Sequence, residues 1–388
     1  MQRVIHGCNT EFEPLKKTIR ERLTPAILGW SPSTIENELL ALPVKLGGMA
    51  IENPVQVAEE RYNTSQRATS ILTESIYTGA TFDIHEYTNH LVQEQTTEKQ
   101  ARDLRNKENS EEIMITLNPE MRRTLQRITN GNASQWLTIT PLTADNFDLT
   151  PTQFRDALSM RYSKPLLGLR GICDGCGMEM DLNHALNCKK GGLVKQGHDQ
   201  IRDIIAGLAR QVYRGVMVEP IMREGSATEP GLLADIRIHG VWDRERASFY
   251  DVRVINADAA SYSTRDWIST ANEAAKAKHR KYDTAAEDLH GSFIPLITSC
   301  EGVLHTEFQT FSKKLVMSLA EKWDKPRSSI AGFVRAKIQL AIIRAVSLRL
   351  RGCRKMTRSA IDDANSQIIR EEAALCLEDG APIPTQDY

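Results

Sequence analysis

The sequence predicts a mixed α/β chain with a mostly helical N-terminal half, a short cysteine-rich segment, a small core of α-β-β-β-α-β order and C-terminal helices. Three observations predict this order. Apolar residues recur at three- and four-residue steps early in the chain, which is the helical period. Runs rich in β-branched and aromatic residues, typical of strands, appear after residue 215. Between these regions, three cysteines and one histidine fall within sixteen residues.

The composition fits a globular protein of two or three domains. Of the 388 residues, 41% are hydrophobic and 26% are charged. The N-terminus has no apolar signal core, and the longest nearly apolar run, "IQLAIIRAV", is far shorter than the ~20 residues of a membrane span. The sequence therefore predicts an intracellular chain without a membrane segment.

The N-terminal half divides into a helical segment, 1–81, and a helical linker, 82–165. The segment contains three helical patterns separated by the turns "GWSPS" and "LGGMAIENP". From about 83 to 127 the chain is polar and charged, which suits a long exposed helix or a bridge between domains. Thr150 and Pro151 predict the cap and first turn of a later helix.

The cysteine-rich segment, 166–196, has the spacing of a metal site. Two, seven and three residues separate its successive ligands, which are Cys173, Cys176, His184 and Cys188. Seven cysteines without a secretory signal favour metal binding over disulfides, and three thiolates with one imidazole select a closed, structural zinc site.

Two roles are open for this cluster. One is a staple that fixes two chain segments. The other is contact with nucleic acid, aided by the basic residues that follow it, Lys189, Lys190 and Lys195.

The core, 197–300, carries acidic residues within its strand patterns. Asp235 and Asp251 are flanked by apolar residues on the second and third patterns, and Glu219 lies on the first. Because a buried carboxylate needs a partner, these oxygens suit a Mg²⁺ or Mn²⁺ ion. Salt bridges to Arg237 or Arg253 are the alternative.

The sequence of residues 301–358 predicts two basic C-terminal helices, "TEFQTFSKKLVMSLAEKW" and "SSIAGFVRAKIQLAIIRAVSLRLRG". One apolar stripe runs along the second helix through Ile330, Val334, Ile338, Ala341 and Ala345. From Phe311 to Arg358 there are thirteen Lys or Arg residues and two acidic ones, whereas the tail, 359–388, is acidic. Such a block suits a polyanion, and the alternative is a set of amphipathic helices with a solvated charged face.

The order of these motifs resembles the C-terminal region of non-LTR retrotransposon proteins with a restriction-like endonuclease. Those proteins carry a Cys-Cys-His-Cys zinc knuckle between a reverse transcriptase and a PD-(D/E)XK nuclease. The knuckle matches, Asp235 and Asp251 match the two nuclease acids, and Lys278, Lys281 and Tyr282 match a Lys-x-x-Lys-Tyr pattern. "LPVKLGGMAIENP" resembles the end of the reverse transcriptase, and the resemblance covers about residues 20 to 350.

The resemblance implies a Mg²⁺- or Mn²⁺-dependent DNA endonuclease that nicks target DNA for target-primed reverse transcription. It implies catalytic roles for Asp235, Asp251 and Lys278, a structural zinc, DNA and element RNA as partners, and a nuclear location. Nucleic-acid-binding roles fall to Lys189, Lys190, Lys195, His198, Arg253 and Lys281.

The sequence departs from the family at several points. Ala234 stands in place of proline, Arg253 in place of lysine, and Gly197 in place of arginine before His198 and Asp199. These last two residues begin the predicted helix "HDQIRDIIAGLARQVYRG". No aromatic-x-Asp-Asp polymerase signature exists in this chain. A second hypothesis is therefore an inactive, nucleic-acid-binding remnant, and a third is a zinc-stabilised helical scaffold.

Overall fold

The structure is a computed structural model that describes residues 1–226, 230–262 and 264–355. The predicted acidic tail, 359–388, and the last residues of the basic block lie outside this described part. The chain divides into two compact units, Met1–Thr129 and Asn130–Tyr388. The boundary falls inside the predicted linker, 82–165.

The first unit is helical. Its helices are α1 (Glu13–Thr18), α2 (Thr24–Leu28), α3 (Thr34–Ala41), α4 (Pro54–Ala68), α5 (Ser70–Thr78), α6 (Ile84–Thr116) and α7 (Pro119–Asn130), with one π-helical turn (Ile19–Leu23) between α1 and α2. The predicted polar segment forms α6, a largely exposed helix of 33 residues. Arg67 of α4 pairs with Glu94 and Glu98 of α6, which ties the two helices together.

The second unit combines helices with strands. Its elements are α8 (Pro151–Arg161), α9 (Leu182–Asn187), α10 (Leu193–Arg210), β1 (Met217–Val218), β2 (Ile221–Arg223), β3 (Leu232–Leu233), β4 (Ile236–His239), β5 (Ala247–Ile255), α11 (Trp267–Asp288), β6 (Ser292–Ser299), α12 (Thr306–Trp323) and α13 (Arg327–Arg351). The predicted mixed α/β class is confirmed. Of the described helices, none is long and apolar enough to cross a membrane.

Four strands form one sheet in the order β1-β4-β5-β6. β4 pairs antiparallel with both β1 and β5, whereas β5 and β6 are parallel and α11 makes the crossover between them. β2 and β3 form a separate antiparallel hairpin inserted between β1 and β4.

Helices cover both faces of this sheet. Because side chains alternate along β5, Tyr250 and Val252 join the main core with residues of α10, α12 and α13. Phe249 and Ile255 lie on the opposite face, against α11. These two contacts pack α11 against that face of β5 near both ends of the strand.

α13 is buried over most of its surface. The predicted apolar stripe of Ile330, Val334, Ile338, Ala341 and Ala345 is buried, and so are residues on its other sides. In the described part of the basic block, six cations bind oxygens of the same unit, whereas Lys313, Lys325 and Arg327 are exposed. The six with carbonyl or carboxylate partners are Lys322, Lys337, Arg344, Arg349, Arg351 and Arg354.

Three predicted boundaries are wrong. The first predicted strand breaks at Glu219 and Pro220 into β1 and β2, and the second breaks at Ala234 and Asp235 into β3 and β4. Asp235 and Glu219 therefore lie at breaks between strands. α10 begins at Leu193 and ends at Arg210, so His198 is inside the helix rather than at its start.

Candidate metal cluster and catalytic centre

A small turn and a short helix bring the Cys/His ligands together. Ile172 and Glu179 form a β-bridge, and Gly177, at φ +76°, closes the turn that carries Cys173 and Cys176. Asp181 caps α9 by accepting a hydrogen bond from the His184 N–H at 2.6 Å. His184 lies in α9 and Cys188 follows its last residue, so both face the turn.

The four ligand atoms lie within 4.8 Å of one another and could hold a metal ion. The Sγ atom of Cys188 lies 3.9 Å from those of Cys173 and Cys176, and Cys176 Sγ lies 3.3 Å from His184 Nε2. These separations are close to the ~3.8 Å edge of a tetrahedron with metal–sulfur bonds of ~2.3 Å. Burial opposes ionisation of Cys173, but hydrogen bonds from Gly175 and His184 outweigh it and lower its pKa to about 6.

The cluster is joined to the end of α13. Cys173 and Cys188 are buried in the main core. Asp174 Oδ2 accepts a hydrogen bond from the Arg354 N–H at 3.1 Å, and a Cβ on Gly175 would lie 2.7 Å from Arg354 Cβ. The cluster therefore holds two distant parts of the chain together. The neighbouring Lys189 and Lys190 are exposed.

Asp251 is a buried carboxylate of β5 that receives two groups from α11. Its Oδ1 accepts a hydrogen bond from the Tyr282 hydroxyl at 2.6 Å. Its Oδ2 is buried and pairs with Lys278 Nζ in a contact without hydrogen-bond geometry. Lys281 Nζ donates to the Tyr282 oxygen at 3.0 Å. One turn of α11 thus surrounds this carboxylate with an ammonium group and a hydroxyl.

Asp235 lies at the break between β3 and β4, next to β5. Ile236 pairs with Tyr250, and the Asp235 N–H donates to the O atom of the same Tyr250 at 2.9 Å, so the regular register ends at Ile236. Asp235 Oδ2 accepts a hydrogen bond from the Val252 N–H at 2.6 Å. Burial and the charge of Asp251 raise the pKa of Tyr282, and the charge of Asp235 adds to this shift. Both carboxylates therefore raise the pKa of this hydroxyl, and Asp251 alone of the two accepts its hydrogen bond among the described contacts.

His198 joins Asp235 to α10. Its Nε2 lies 2.9 Å from Asp235 Oδ2, and its Nδ1 lies 3.4 Å from Asp199 Oδ1. Burial would lower the pKa of His198, but hydrogen bonds to Asp199 and Asp235 outweigh it and raise the pKa to about 9. The residue predicted to contact nucleic acid is thus engaged with a predicted catalytic carboxylate.

Two further predicted nucleic-acid-binding residues, Lys195 and Arg253, differ in whether a carboxylate of the described residues binds them. Lys195 pairs with Asp199 and Glu219, at 2.7 and 3.3 Å. Arg253 is half-buried on the face of β5 that carries Asp251, and no side-chain partner for it exists within the described ranges. Among the described residues, Arg253 is therefore a cation without a side-chain partner on the face of β5 that carries Asp251.

Glu219 does not join the other two acids. Within the described part of the chain, the group of three or more potential metal ligands that lie close together is the Cys/His cluster, and Glu219 is not in it. Instead, Glu219 Oε1 accepts a hydrogen bond from Arg202 of α10 at 2.8 Å. The sequence analysis missed Arg202, although its position, three residues from Asp199 and next to Asp203 on the same helix, indicated ion pairs.

Two departures from the family pattern have a physical reason. The Ala234 N–H donates to Pro220 O at 3.1 Å, and a proline at position 234 has no N–H to donate. A Cβ on Gly197 would lie 2.9 Å from both Ala345 O and Arg349 Nε of α13. Arginine at position 197 is therefore incompatible with this helix crossing.

Comparison of the chain with protein-family models gives no match, and comparison with curated proteins gives none either.

Proposed function

We propose that this chain is the metal-dependent DNA endonuclease module of a non-LTR retroelement protein, which nicks target DNA to prime reverse transcription. One observation carries the proposal: Lys278 and Tyr282 of α11 meet the Asp251 carboxylate, while Asp235, at the break before β4, accepts a hydrogen bond from the N–H of the next residue of β5, Val252. Two acids from adjacent strands with a nearby lysine match the resemblance, and they suit phosphodiester hydrolysis.

The donor set fits a hard divalent cation. Asp235 and Asp251 offer carboxylate oxygens, which Mg²⁺ and Mn²⁺ prefer, and Asp251 Oδ2 is a buried oxygen without a hydrogen bond. These two residues would hold the ion. When bound, it would supply a Lewis acid and an activated water molecule. Glu219 is not part of the proposed ligand set, because its carboxylate is bound to Arg202 and Lys195.

The protein's own groups supply the rest of the chemistry. The Lys278 ammonium would stabilise negative charge that develops on the phosphate, and Tyr282 fixes Asp251 through its hydroxyl. Arg253 would hold a DNA phosphate through its guanidinium, which stays protonated and so cannot serve as the general base. His198 holds Asp235 in place from α10.

The Cys/His cluster would be a structural zinc site. Three sulfurs and one nitrogen are soft ligands that fill a tetrahedron, which leaves no position for substrate. The exposed Lys189 and Lys190 beside it would contact the backbone of DNA or element RNA. A protein that nicks target DNA for a retroelement would act in the nucleus.

Nicking of supercoiled plasmid in Mg²⁺ or Mn²⁺ tests the proposed function. We expect Asp235→Ala and Asp251→Asn to lower the rate by at least about a hundredfold, because each removes a ligand of the reacting centre. Asp288→Asn, at the exposed end of α11, is the matched control and should nick like wild type. Equal rates for wild type and both site variants would contradict the proposal.

A second candidate is an inactive nucleic-acid-binding remnant. It is favoured by the ion pairs that engage each carboxylate, Asp235 with His198 and Asp251 with Lys278. In that case the protein binds DNA in a salt-dependent way, while wild type and Asp235→Ala are equally inert in the plasmid assay.

A further inference from the structure

Glu219 has an unusual backbone conformation. It lies between β1 and β2 at φ +51°, in the left-handed region. This region is unfavourable for residues with a Cβ, because the Cβ approaches the following carbonyl oxygen. Such a conformation persists where surrounding contacts hold it.

Two cations of α10 hold the Glu219 side chain. Oε1 accepts hydrogen bonds from Arg202 Nη1 at 2.8 Å and from Lys195 Nζ at 3.3 Å. The Arg202 side chain is 9% exposed and also donates to Asp199 and Asp203. Asp199 and Asp203 therefore hold the Arg202 side chain in the position from which it binds Glu219.

The Glu219 backbone in turn holds Asp235. Its N–H donates to Asp235 O at 2.9 Å, while the Asp235 N–H donates to Tyr250 O at 2.9 Å. Asp235 is thus fixed on both sides, to the β1–β2 turn and to β5. The chain leaves the sheet at Pro220 and returns at Ala234, whose N–H donates to Pro220 O. The left-handed residue, Glu219, lies at this exit, directly before Pro220.

We propose that Glu219 acts on the catalytic centre through its backbone, with Arg202 as the residue that holds it, so that both are positioning residues for Asp235 and neither binds the metal. This inference rests on the proposed endonuclease function. It assigns a role to Arg202 and replaces the metal-ligand role predicted for Glu219.

Glycine and valine at position 219 separate the two roles. Glycine removes the carboxylate but adopts φ +51° readily, whereas a β-branched residue does not. We expect Glu219→Gly to keep kcat for nicking within about threefold of wild type and Glu219→Val to lose about a hundredfold in kcat, with little change in KM for DNA. Arg202→Met should lower kcat and Arg202→Lys should retain more activity, because lysine keeps one donor.

Exposed Glu224, five residues along the chain, provides the control: Glu224→Val should leave kcat unchanged. Equal losses in Glu219→Gly and Glu219→Val would indicate a carboxylate role and overturn the inference.

Thermal unfolding tests the backbone claim even if wild type does not nick, an outcome that would count against the proposed function alone. The Glu219→Gly variant should melt at or above the wild-type temperature, and Glu219→Val clearly below it. Equal melting temperatures for the two variants would contradict a left-handed requirement at this position.

Discussion

Gly197 shows how a single residue can depart from a family pattern for a structural reason. It lies where α10 crosses α13, and a Cβ there would meet the Ala345 carbonyl oxygen at 2.9 Å. Gly207, ten residues along the same helix, has no atom within 4 Å of its Cβ position. The two glycines therefore differ in their tolerance of a side chain.

We expect Gly197→Ala to lower the free energy of unfolding by about 1–3 kcal/mol, because the backbone of α13 must move. Gly207→Ala should raise it by about 0.4–1 kcal/mol, because alanine restricts the unfolded chain without a clash. Urea denaturation followed by tryptophan fluorescence measures both. Equal effects of the two substitutions would contradict the close helix crossing.

The sequence predicted which residues form the candidate catalytic centre, but it did not predict the backbone conformation around them. Asp251, Lys278 and Tyr282 were found from the strand pattern and the family motif, and the structure brings them together. The breaks at Glu219 and Asp235 escaped prediction, because apolar content along the chain does not reveal where a strand leaves its sheet. Pro220 was the local signal, since proline cannot donate to a strand ladder.

At the scale of elements, α11 links the centre to α12 through a histidine. His279, next to Lys278, places Nδ1 2.9 Å from Asp283 Oδ1 and Nε2 3.0 Å from Glu307 Oε2 of α12. Burial would lower the pKa of His279, but the contacts with Asp283 and Glu307 outweigh it and raise the pKa above 6.5. The protonated ring therefore stabilises this helix pair.

This link predicts a pH dependence of stability. Because the pKa of His279 is raised in the folded state, its contribution is complete below pH 6.5 and is lost as pH rises through the folded value. Nearby His305 has a lowered pKa, mainly from burial, so its contribution changes below pH 6.5 instead.

From pH 6.5 to about 8.5 we expect wild type to lose up to about 1 kcal/mol more stability than His279→Gln, a small value because the ring is partly exposed. Urea denaturation across this range measures the difference. His239→Gln, at an exposed histidine of β4, should follow wild type. A His279→Gln curve parallel to that of wild type would contradict the link.

Among the elements, α12 and α13 were predicted almost to the residue, but the environment of α13 was not. The stripe through Ile330, Val334 and Ile338 is real, yet Ile342, Ile343 and Val346 bury the other sides of the helix. The sequence carries this signal, because a helix that is apolar all round belongs in a core. The high count of basic residues concealed it, since their long side chains reach oxygens at the edge of the core.

At the scale of the whole second unit, the Cys/His cluster joins the segment before α10 to the end of α13. Cys173 and Cys188 lie in the same core as residues of α10, β5 and α12, and Asp174 binds the Arg354 backbone beyond α13. The spacing predicted the ligands, whereas the partner at the end of α13 could not be predicted from a local pattern. These contacts favour the staple over a freely exposed knuckle.

Removal of the proposed zinc should therefore destabilise the second unit. We expect Cys173→Ser to lose zinc, measured by elemental analysis, and to melt about 5–10 °C below wild type, because metal binding contributes directly to folding. Cys8→Ser, in the first unit, should retain the wild-type zinc content. Unchanged zinc content and melting temperature in Cys173→Ser would contradict the staple.

The most direct test of the centre is the single-turnover nicking rate in Mg²⁺ of Lys278→Met beside that of Lys276→Met, an exposed lysine of the same helix. If Lys278, Asp251 and Asp235 act on one phosphate, Lys278→Met loses about a hundredfold or more in rate at unchanged DNA affinity, and Lys276→Met matches wild type. Equal rates for the two variants would contradict the account.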